Sequence, residues 1–455
     1  MKIPRIVVAA TQSSSGKTTI VTGLLAELRA RGLKVQSFKV GPDYIDPGYH
    51  KLASGRAAHN LDTWLVPKDK LPQIFTAEAM GADIAVIEGV MGLYDGGRGG
   101  VSSTAEIAKL LDASVLLVID CKSMGASAAA IAKGFRDYDK DVKLAGVILN
   151  KLGSSTHEEM IKQAMHKINM PVYGGLRRND EIATPERHLG LLPVEENSQP
   201  FIEKMRSLVS DSVDVDGIIA LANKATVIKS VYGDIFFKAK EIKCTIGIAK
   251  DEAFSFYYAT SLAVLENLGA KLVPFSPLHD KELPPVDGII IGGGFPEMFA
   301  EGLAANVTLR QSLKRAAKNN MPIYAECGGY MYLMQSIVDF SSQEYEMAGI
   351  FDGQAQMTKK LQMVGYVEAE LATDSVIGKK GTKLHGHEFH FSTDDPSIKN
   401  RPFCFTKLRN NAKYLAGQAK YKTIGSYLHL HFAGANSVAA NFIKSCLDYK
   451  MTKDK

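Results

Sequence analysis

The chain has 455 residues, of which 45% are hydrophobic, 23% charged and 8% aromatic. At about 150 residues per domain this allows roughly two to four domains, each able to bury a core, and the composition excludes a mostly disordered or fibrous chain. The net charge is only +5 and is spread along the chain with a small cluster at Lys444–Lys455, so nucleic acid is not implied as a partner. No apolar run approaches the roughly 18 residues that a membrane helix needs. Met1–Ala10, a short apolar strand with Pro4 inside it, lacks the h-region and cleavage pattern of a secretion signal. The five cysteines, Cys121, Cys244, Cys327, Cys404 and Cys446, are far apart and form no CxxC, so neither a zinc knot nor a disulfide framework is suggested. The expectation is a cytoplasmic, reduced protein with no membrane partner.

Along the first half, short apolar strands alternate with helical stretches. Strands are predicted at Ile6–Thr11, Val35–Val40, Ile84–Gly89, Val115–Asp120 and Ala145–Asn150, with Pro171–Leu176 at the edge. Helices are predicted at Thr18–Arg31, Glu106–Leu111, Ala126–Arg136 and His157–Ile168. Near-continuous Val/Ile/Leu strands between helices mean a parallel sheet covered on both faces, hence a doubly wound α/β domain. Glu195–Ala222 reads as one helix, and the mixed, basic stretch 224–243 as a linker. The domains are therefore expected at 1–223 and 244–455.

A second alternating pattern follows. Thr245–Ala249, Lys271–Phe275, Gly288–Gly292 and Pro322–Glu326 read as strands and Phe256–Leu268 as a helix. After Met331 come short segments with strands near Val364–Leu371, Glu388–Phe391 and Thr423–Leu430, then a closing helix at Asn436–Leu447.

Three groups of residues carry chemistry. At the N-terminus a strand, a loop and a helix contain Gly16-Lys17-Thr18, the end of a GxxxxGK[ST] pattern, although Thr11 stands where the first Gly belongs. In such a loop the backbone N–H groups cradle phosphates, Lys reaches the β- and γ-phosphates and Thr holds Mg²⁺. Gln12, Ser13, Ser14, Ser15, Gly16, Lys17, Thr18 and Thr19 are thus the expected ATP-binding residues. Carboxylates leave the next strand ends, where a doubly wound sheet binds ligands. Glu88 and Asp43 are expected with Thr18 as metal contacts. Asp43, Tyr44, Asp46 and Asp95 are expected to position substrate or intermediate.

In the second half, Ala325-Glu-Cys327-Gly328-Gly329 is a strand running into a Gly-Gly turn and a helix. A Cys there stands at a nucleophile elbow. Gly293, Gly294 and Gly328 are expected to offer N–H groups to an oxyanion. His429 and His431, two apart on a strand, would point to one side, His429 as base and His431 as third member of a triad. The His385-Gly-His387-Glu388-Phe-His390 run is not HExxH, and strand alternation splits it between two faces, so no metal site is expected there.

Together these residues resemble the cobyrinic acid a,c-diamide synthase family, glutamine-dependent ATP ligases of corrinoid synthesis. The likeness runs over nearly the whole chain: the SGKTT loop, Lys39–Pro47 (KVGPDYIDP), Asn60–Trp64, Glu88–Gly96 (EGVMGLYDG), Gly146–Lys151 (GVILNK), Glu186–Pro193 (ERHLGLLP), Phe254–Tyr258, Gly292–Glu297 (GGGFPE), Ala325–Gly329 (AECGG), Gly386–His390 (GHEFH) and Tyr427–Phe432 (YLHLHF). The resemblance implies a dethiobiotin-synthetase-like ATP domain joined to a class I-like glutamine amidotransferase domain. It implies Cys327 as glutaminase nucleophile and His429 as the residue activating it. In related class I amidotransferases a Glu follows that His by two positions, the slot His431 holds here.

The function so implied is ATP- and Mg²⁺-dependent amidation of the a- and c-carboxylates of cobyrinic acid, with ammonia from glutamine and acyl phosphates as intermediates. Nickel-sirohydrochlorin and hydrogenobyrinic acid are alternative tetrapyrrole substrates for the same chemistry. Cobyric acid synthase is a more distant resemblance. A partitioning-type ATPase would carry a Lys where Gln12 stands and would leave AECGG and YLHLHF without a role. The sequence leaves the oligomeric state open, a homodimer included.

Overall fold

The computed structural model describes residues 2–178, 198–228, 239, 241–395 and 397–453. Its internal contacts divide the chain into two units, Met1–Thr63 with Pro67–Tyr232 and Trp64–Val66 with Gly233–Lys455. The ERHLGLLP segment and most of the expected linker lie outside the described residues. No helix among the described residues is long and apolar enough to cross a membrane.

In the first unit the elements run β1 (Arg5–Ala10), α1 (Lys17–Ala30), β2 (Val35–Val40), α2 (Asp46–Ser54), β3 (His59–Leu61), α3 (Leu71–Glu78), β4 (Ile84–Glu88), α4 (Thr104–Leu110), β5 (Ser114–Asp120), α5 (Ser127–Tyr138), β6 (Leu144–Leu152), α6 (Ser155–Lys167), β7 (Val172–Arg177), α7 (Ser198–Ser212) and α8 (Val215–Ala222). The sheet order is β3-β2-β4-β1-β5-β6-β7, and every pairing is parallel. All residues of β1, β2 and β4 are buried, as a sheet covered on both faces requires. β2, β3 and β4 lie on one side of β1 and β5, β6 and β7 on the other, so the crevice at the carboxyl ends opens beside it.

Two departures from the sequence reading matter. Residues 195–197 of the expected helix over Glu195–Ala222 lie outside the described residues, and the rest is two helices, because Asp214 accepts from Gly217 N at 2.8 Å and starts a new one. The loop after β2 contains α2, which was not anticipated. Its entry is fixed by the Asp43 carboxylate, which accepts from Ile45 N at 2.9 Å and Asp46 N at 3.1 Å, and by Pro47 in its first turn.

The second unit contains β8 (Cys244–Ala249), β9 (Phe254–Phe256), α9 (Ala259–Asn267), β10 (Ala270–Phe275), β11 (Gly288–Ile291), β12 (Gly293–Gly294), α10 (Ala300–Ala305), α11 (Val307–Lys318), β13 (Ile323–Glu326), α12 (Gly328–Leu333), β14 (Ser336–Val338), β15 (Glu344–Glu346), β16 (Gln354–Met357), β17 (Met363–Leu371), β18 (Lys383–His390), β19 (Ser392–Thr393), β20 (Phe403–Lys407), β21 (Lys413–Ala416), β22 (Gln418–Lys420), β23 (Thr423–Ser426), β24 (His429–Leu430) and α13 (Asn436–Lys453). The main sheet has the order β10-β8-β11-β13-β23-β22. It is parallel except for β22 at the edge. A five-stranded antiparallel sheet, β21-β20-β17-β18-β24, stands apart from it.

The expected single strand Thr423–Leu430 is therefore two strands in two sheets. β23 pairs with β13, whereas β24 pairs with β18, setting His429 opposite His387. His431 falls beyond β24, in a turn where its carbonyl accepts from Gly434 N and Ala435 N. Strand alternation thus does not apply to the His429–His431 pair.

Candidate active sites

In the first unit, β1 leads into a loop in which Ser14 (φ 60°) and Gly16 (φ 84°) take left-handed backbone. Glycine is required at 16 on two counts: its φ, and the 2.1 Å that would separate a Cβ there from Asn150 Nδ2. That amide donates to the Ser15 carbonyl at 2.8 Å, and Lys151 donates to the Ser14 carbonyl at 3.0 Å and to Asp120 at 2.7 Å. The loop is closed by Ser15 Oγ donating to the Gln12 carbonyl at 2.9 Å. Gln12, Ser13 and Ser14 are exposed, and Thr19 is half-buried at the start of α1.

Lys17 is buried, and its ammonium donates to the Met91 carbonyl at 3.1 Å. Burial, with the neighbouring Lys39 charge, lowers its pKa to about 8. The Thr18 hydroxyl donates to Glu88 Oε1 at 2.7 Å and lies 3.3 Å from Asp46 Oδ2.

Two residues the sequence reading did not single out complete this cluster. Lys39, at the end of β2, donates to Glu88 Oε1 at 2.9 Å and to Asp46 Oδ2, with Asp43 Oδ2 at 3.7 Å. His50, on α2, meets Glu88 Oε2 at 2.6 Å through Nε2. Burial works against ionisation of Glu88, but Lys39 and His50 hold its carboxyl well below the usual range. Asp46 is pushed up to about 7, first by burial and then by Asp43. For Lys39, burial is outweighed by the three carboxylates, which raise its pKa.

The donor set formed by Thr18 Oγ1 and the Glu88 and Asp46 carboxylates is hard oxygen of the kind that suits Mg²⁺. Asp43, expected among the metal contacts, accepts at the start of α2 through Oδ1 and keeps Oδ2 3.7 Å from Lys39 Nζ. No set of three or more His, Cys, Asp or Glu side chains is grouped for a metal among the described residues. Tyr44 is half-buried in the loop before α2, and Asp95 is exposed, accepting from Gly92 N at 3.0 Å.

In the second unit, Cys327 stands between β13 and α12 with φ 47° and ψ −106°, a strained backbone for a residue with a Cβ. The neighbours over-determine it. Cys327 N donates to the Ser426 carbonyl at 2.8 Å and Gly329 N to the Gly292 carbonyl at 3.0 Å. A Cβ on Gly328 would lie 3.1 Å from Gly294 N, and one on Gly293 would lie 2.7 Å from His429 Cε1. The three expected oxyanion glycines are thus gathered around the thiol and the imidazole.

His429 is buried and within hydrogen-bonding reach of Cys327. Burial favours the neutral ring, but Cys327 and Glu326 outweigh it and raise the pKa to about 10. Glu326 Oε2 lies 3.7 Å from His429 Nδ1. The sequence reading passed over Glu326, although it stands next to the nucleophile in AECGG. His431, expected as third member, has its ring 4.9 Å from that of Tyr258.

A family model described as CobQ/CobB/MinD/ParA nucleotide binding domain matches residues 6–192, and one described as CobB/CobQ-like glutamine amidotransferase domain matches residues 245–437. A protein named cobyrinate a,c-diamide synthase from Dehalococcoides mccartyi (strain CBDB1) is 44% identical over 463 residues, covering 99% of both chains. One of the same name from Methanobrevibacter smithii is 41% identical, covering 96% of this chain and 98% of its own. A hydrogenobyrinate a,c-diamide synthase from Streptomyces coelicolor is 38% identical, covering 98% of both.

Proposed function

The chain belongs to the cobyrinate a,c-diamide synthase family, and from that premise we propose that this amide-forming ligase converts the a- and c-carboxylates of cobyrinic acid to amides, using ATP and the amide nitrogen of glutamine. The observation that carries the reading is Cys327, held at a strained elbow among Gly293, Gly294 and Gly328 and in reach of His429.

A carboxylate is a poor acyl donor because its oxygen leaves badly. Transfer of the γ-phosphoryl group from ATP to the carboxylate gives an acyl phosphate and ADP. Ammonia then attacks the acyl carbon and inorganic phosphate departs. In the first unit the loop amides and Lys17 bind the triphosphate and stabilise charge on the transferring group. Mg²⁺, where bound, would be held by Thr18, Glu88 and Asp46 and would neutralise phosphate charge. Tyr44, Asp43 and Asp95 position the substrate carboxylate or the intermediate.

In the second unit the Cys327 thiolate attacks the amide carbon of glutamine. Imidazolium His429 gives its proton to the leaving nitrogen, ammonia departs, and a thioester remains. Neutral His429 then draws a proton from water, which hydrolyses the thioester to glutamate. Backbone N–H groups near Gly294 and Gly328 stabilise the oxyanion of both tetrahedral intermediates.

The Cys327→Ala variant is expected to lose glutamine-dependent amidation and keep ammonia-dependent amidation. The Lys17→Ala variant is expected to lose both. Undiminished ammonia-dependent turnover in Lys17→Ala would remove the loop from the mechanism. The substrate is settled by counting amides added, by mass, to cobyrinic acid, hydrogenobyrinic acid and nickel-sirohydrochlorin side by side. Hydrogenobyrinic acid is the second reading, favoured by the Streptomyces coelicolor relative. Two amides on another tetrapyrrole and none on cobyrinic acid would overturn the first.

A further inference from the structure

A triad needs a group behind the imidazole that fixes its orientation and balances the charge it acquires. His431 occupies the sequence position where related enzymes carry that group, but it lies in a turn beyond β24, against Tyr258. The carboxylate at the right atom is Glu326. It is the last residue of β13, one position before the nucleophile, and is buried together with His429. Its two oxygens divide the work. Oε1 accepts from the Tyr324 hydroxyl at 2.7 Å and from Leu430 N at 3.1 Å. The second of these bonds ties the carboxylate to the strand residue next to His429. Oε2 lies 3.7 Å from His429 Nδ1.

We propose that Glu326 is the positioning carboxylate of the glutaminase centre, orienting His429 and stabilising its imidazolium in place of a residue two positions after the histidine. This rests on the reading of Cys327 and His429 as a glutaminase. A carboxylate in the residue before the nucleophile moves rigidly with the elbow, so one backbone segment sets both ends of the relay. The raised pKa of His429, to which Glu326 contributes, agrees with this arrangement.

The test uses the full chain and three variants, E326Q, Glu326→Asp and His431→Asn. Two quantities are read: steady-state glutamine hydrolysis, and the pH dependence of Cys327 alkylation by iodoacetamide, followed by mass at that residue. Removing a negative charge from behind the imidazole weakens the imidazolium, which in turn weakens the thiolate. The alkylation midpoint in E326Q should therefore move up by about 1 pH unit. Glutaminase kcat should fall about 100-fold, with KM for glutamine changed by less than about twofold. Ammonia-dependent amidation should persist, which reports a folded chain. Glu326→Asp keeps the charge and should hold the midpoint nearer to the unmutated value than E326Q does. If E326Q does not fold, that Asp variant against His431→Asn gives the same decision.

A purely structural Glu326 would change kcat and KM together and leave the midpoint in place. That outcome, or a displacement caused by His431→Asn and not by E326Q, would overturn the proposal. If glutamine hydrolysis survives in Cys327→Ala, the glutaminase reading falls, and this proposal with it.

Discussion

A fully buried carboxylate is tolerable only when donors surround it, and Glu88 has three: Thr18 and Lys39 on Oε1, and His50 on Oε2. His50 is itself buried, and among the described residues its Nδ1 has no hydrogen-bond partner while its Nε2 meets Glu88. Replacing His50 by Phe should free Glu88 to rotate and leave Oε2 unmet. Amidation with either nitrogen source is expected to fall by about 10- to 100-fold, the usual loss when a residue orienting a ligand is removed. Glutamine hydrolysis should stay unchanged. Equal losses in both assays would mean a general folding defect. Lys17, Thr18, Glu88, Cys327 and His429 were legible in the sequence because each sits at a strand end or loop whose neighbours in the chain announce it. Lys39, His50 and Glu326 were not. Their roles depend on side chains 49, 38 and 103 positions away, and linear spacing carries no record of that.

Elements joined by local periodicity read well, and those that switch partners read badly. The strand Val35–Val40 has the same bounds in sequence and structure, and Ile84–Gly89 differs by one residue. By contrast, Thr423–Leu430 is apolar enough to pass for one strand, yet the chain leaves one sheet at Ser426 and enters another at His429. The helix α11 carries Leu309, Leu313, Ala316 and Ala317 at helical spacing, a pattern present in the sequence and passed over.

The packing between elements yields two further tests. A Cβ on Gly329 would come within 2.2 Å of the Ile291 carbonyl, so Gly329→Ala must push α12 off the end of β11, beside the expected oxyanion glycines of β12. Glutamine-dependent amidation should drop at least about tenfold, while ammonia-dependent amidation holds. Loss of both would show that the substitution unfolds more than the elbow.

Arg5, fully buried, ties the start of β1 to its surroundings. Its guanidinium donates to the carbonyls of Leu111 at 2.6 Å, Ile3 at 3.0 Å and Thr226 at 2.9 Å. Arg5→Met keeps much of the volume and strands these carbonyls. The cost should be on the order of 3–5 kcal/mol, read as a shift of the denaturant midpoint.

On the scale of the whole molecule, the proposed function poses the question whether nitrogen released at Cys327 reaches the activated acid as ammonia or by way of bulk ammonium, and pH separates the two. Bulk ammonium is mostly protonated near neutrality, and only the free base attacks an acyl phosphate. In Cys327→Ala, supplied with an ammonium salt, the amidation rate should rise with pH. Lys17, with its pKa near 8, and Asp46, near 7, titrate in this window whichever donor is used, so the glutamine-dependent rate of the chain with Cys327 intact is the reference, and the ammonia-dependent rate should rise relative to it by about tenfold per pH unit from about pH 7 to about pH 9. His429, with its pKa raised to about 10, stays imidazolium across most of the window. A histidine whose folded pKa lies above its ordinary value stabilises the fold fully below that ordinary value, and the contribution is lost as pH rises through about 10. A ratio that climbs with pH means that the nitrogen never equilibrates with solvent. Parallel slopes would mean that it does, and the two reaction centres would then share a chain without sharing an intermediate.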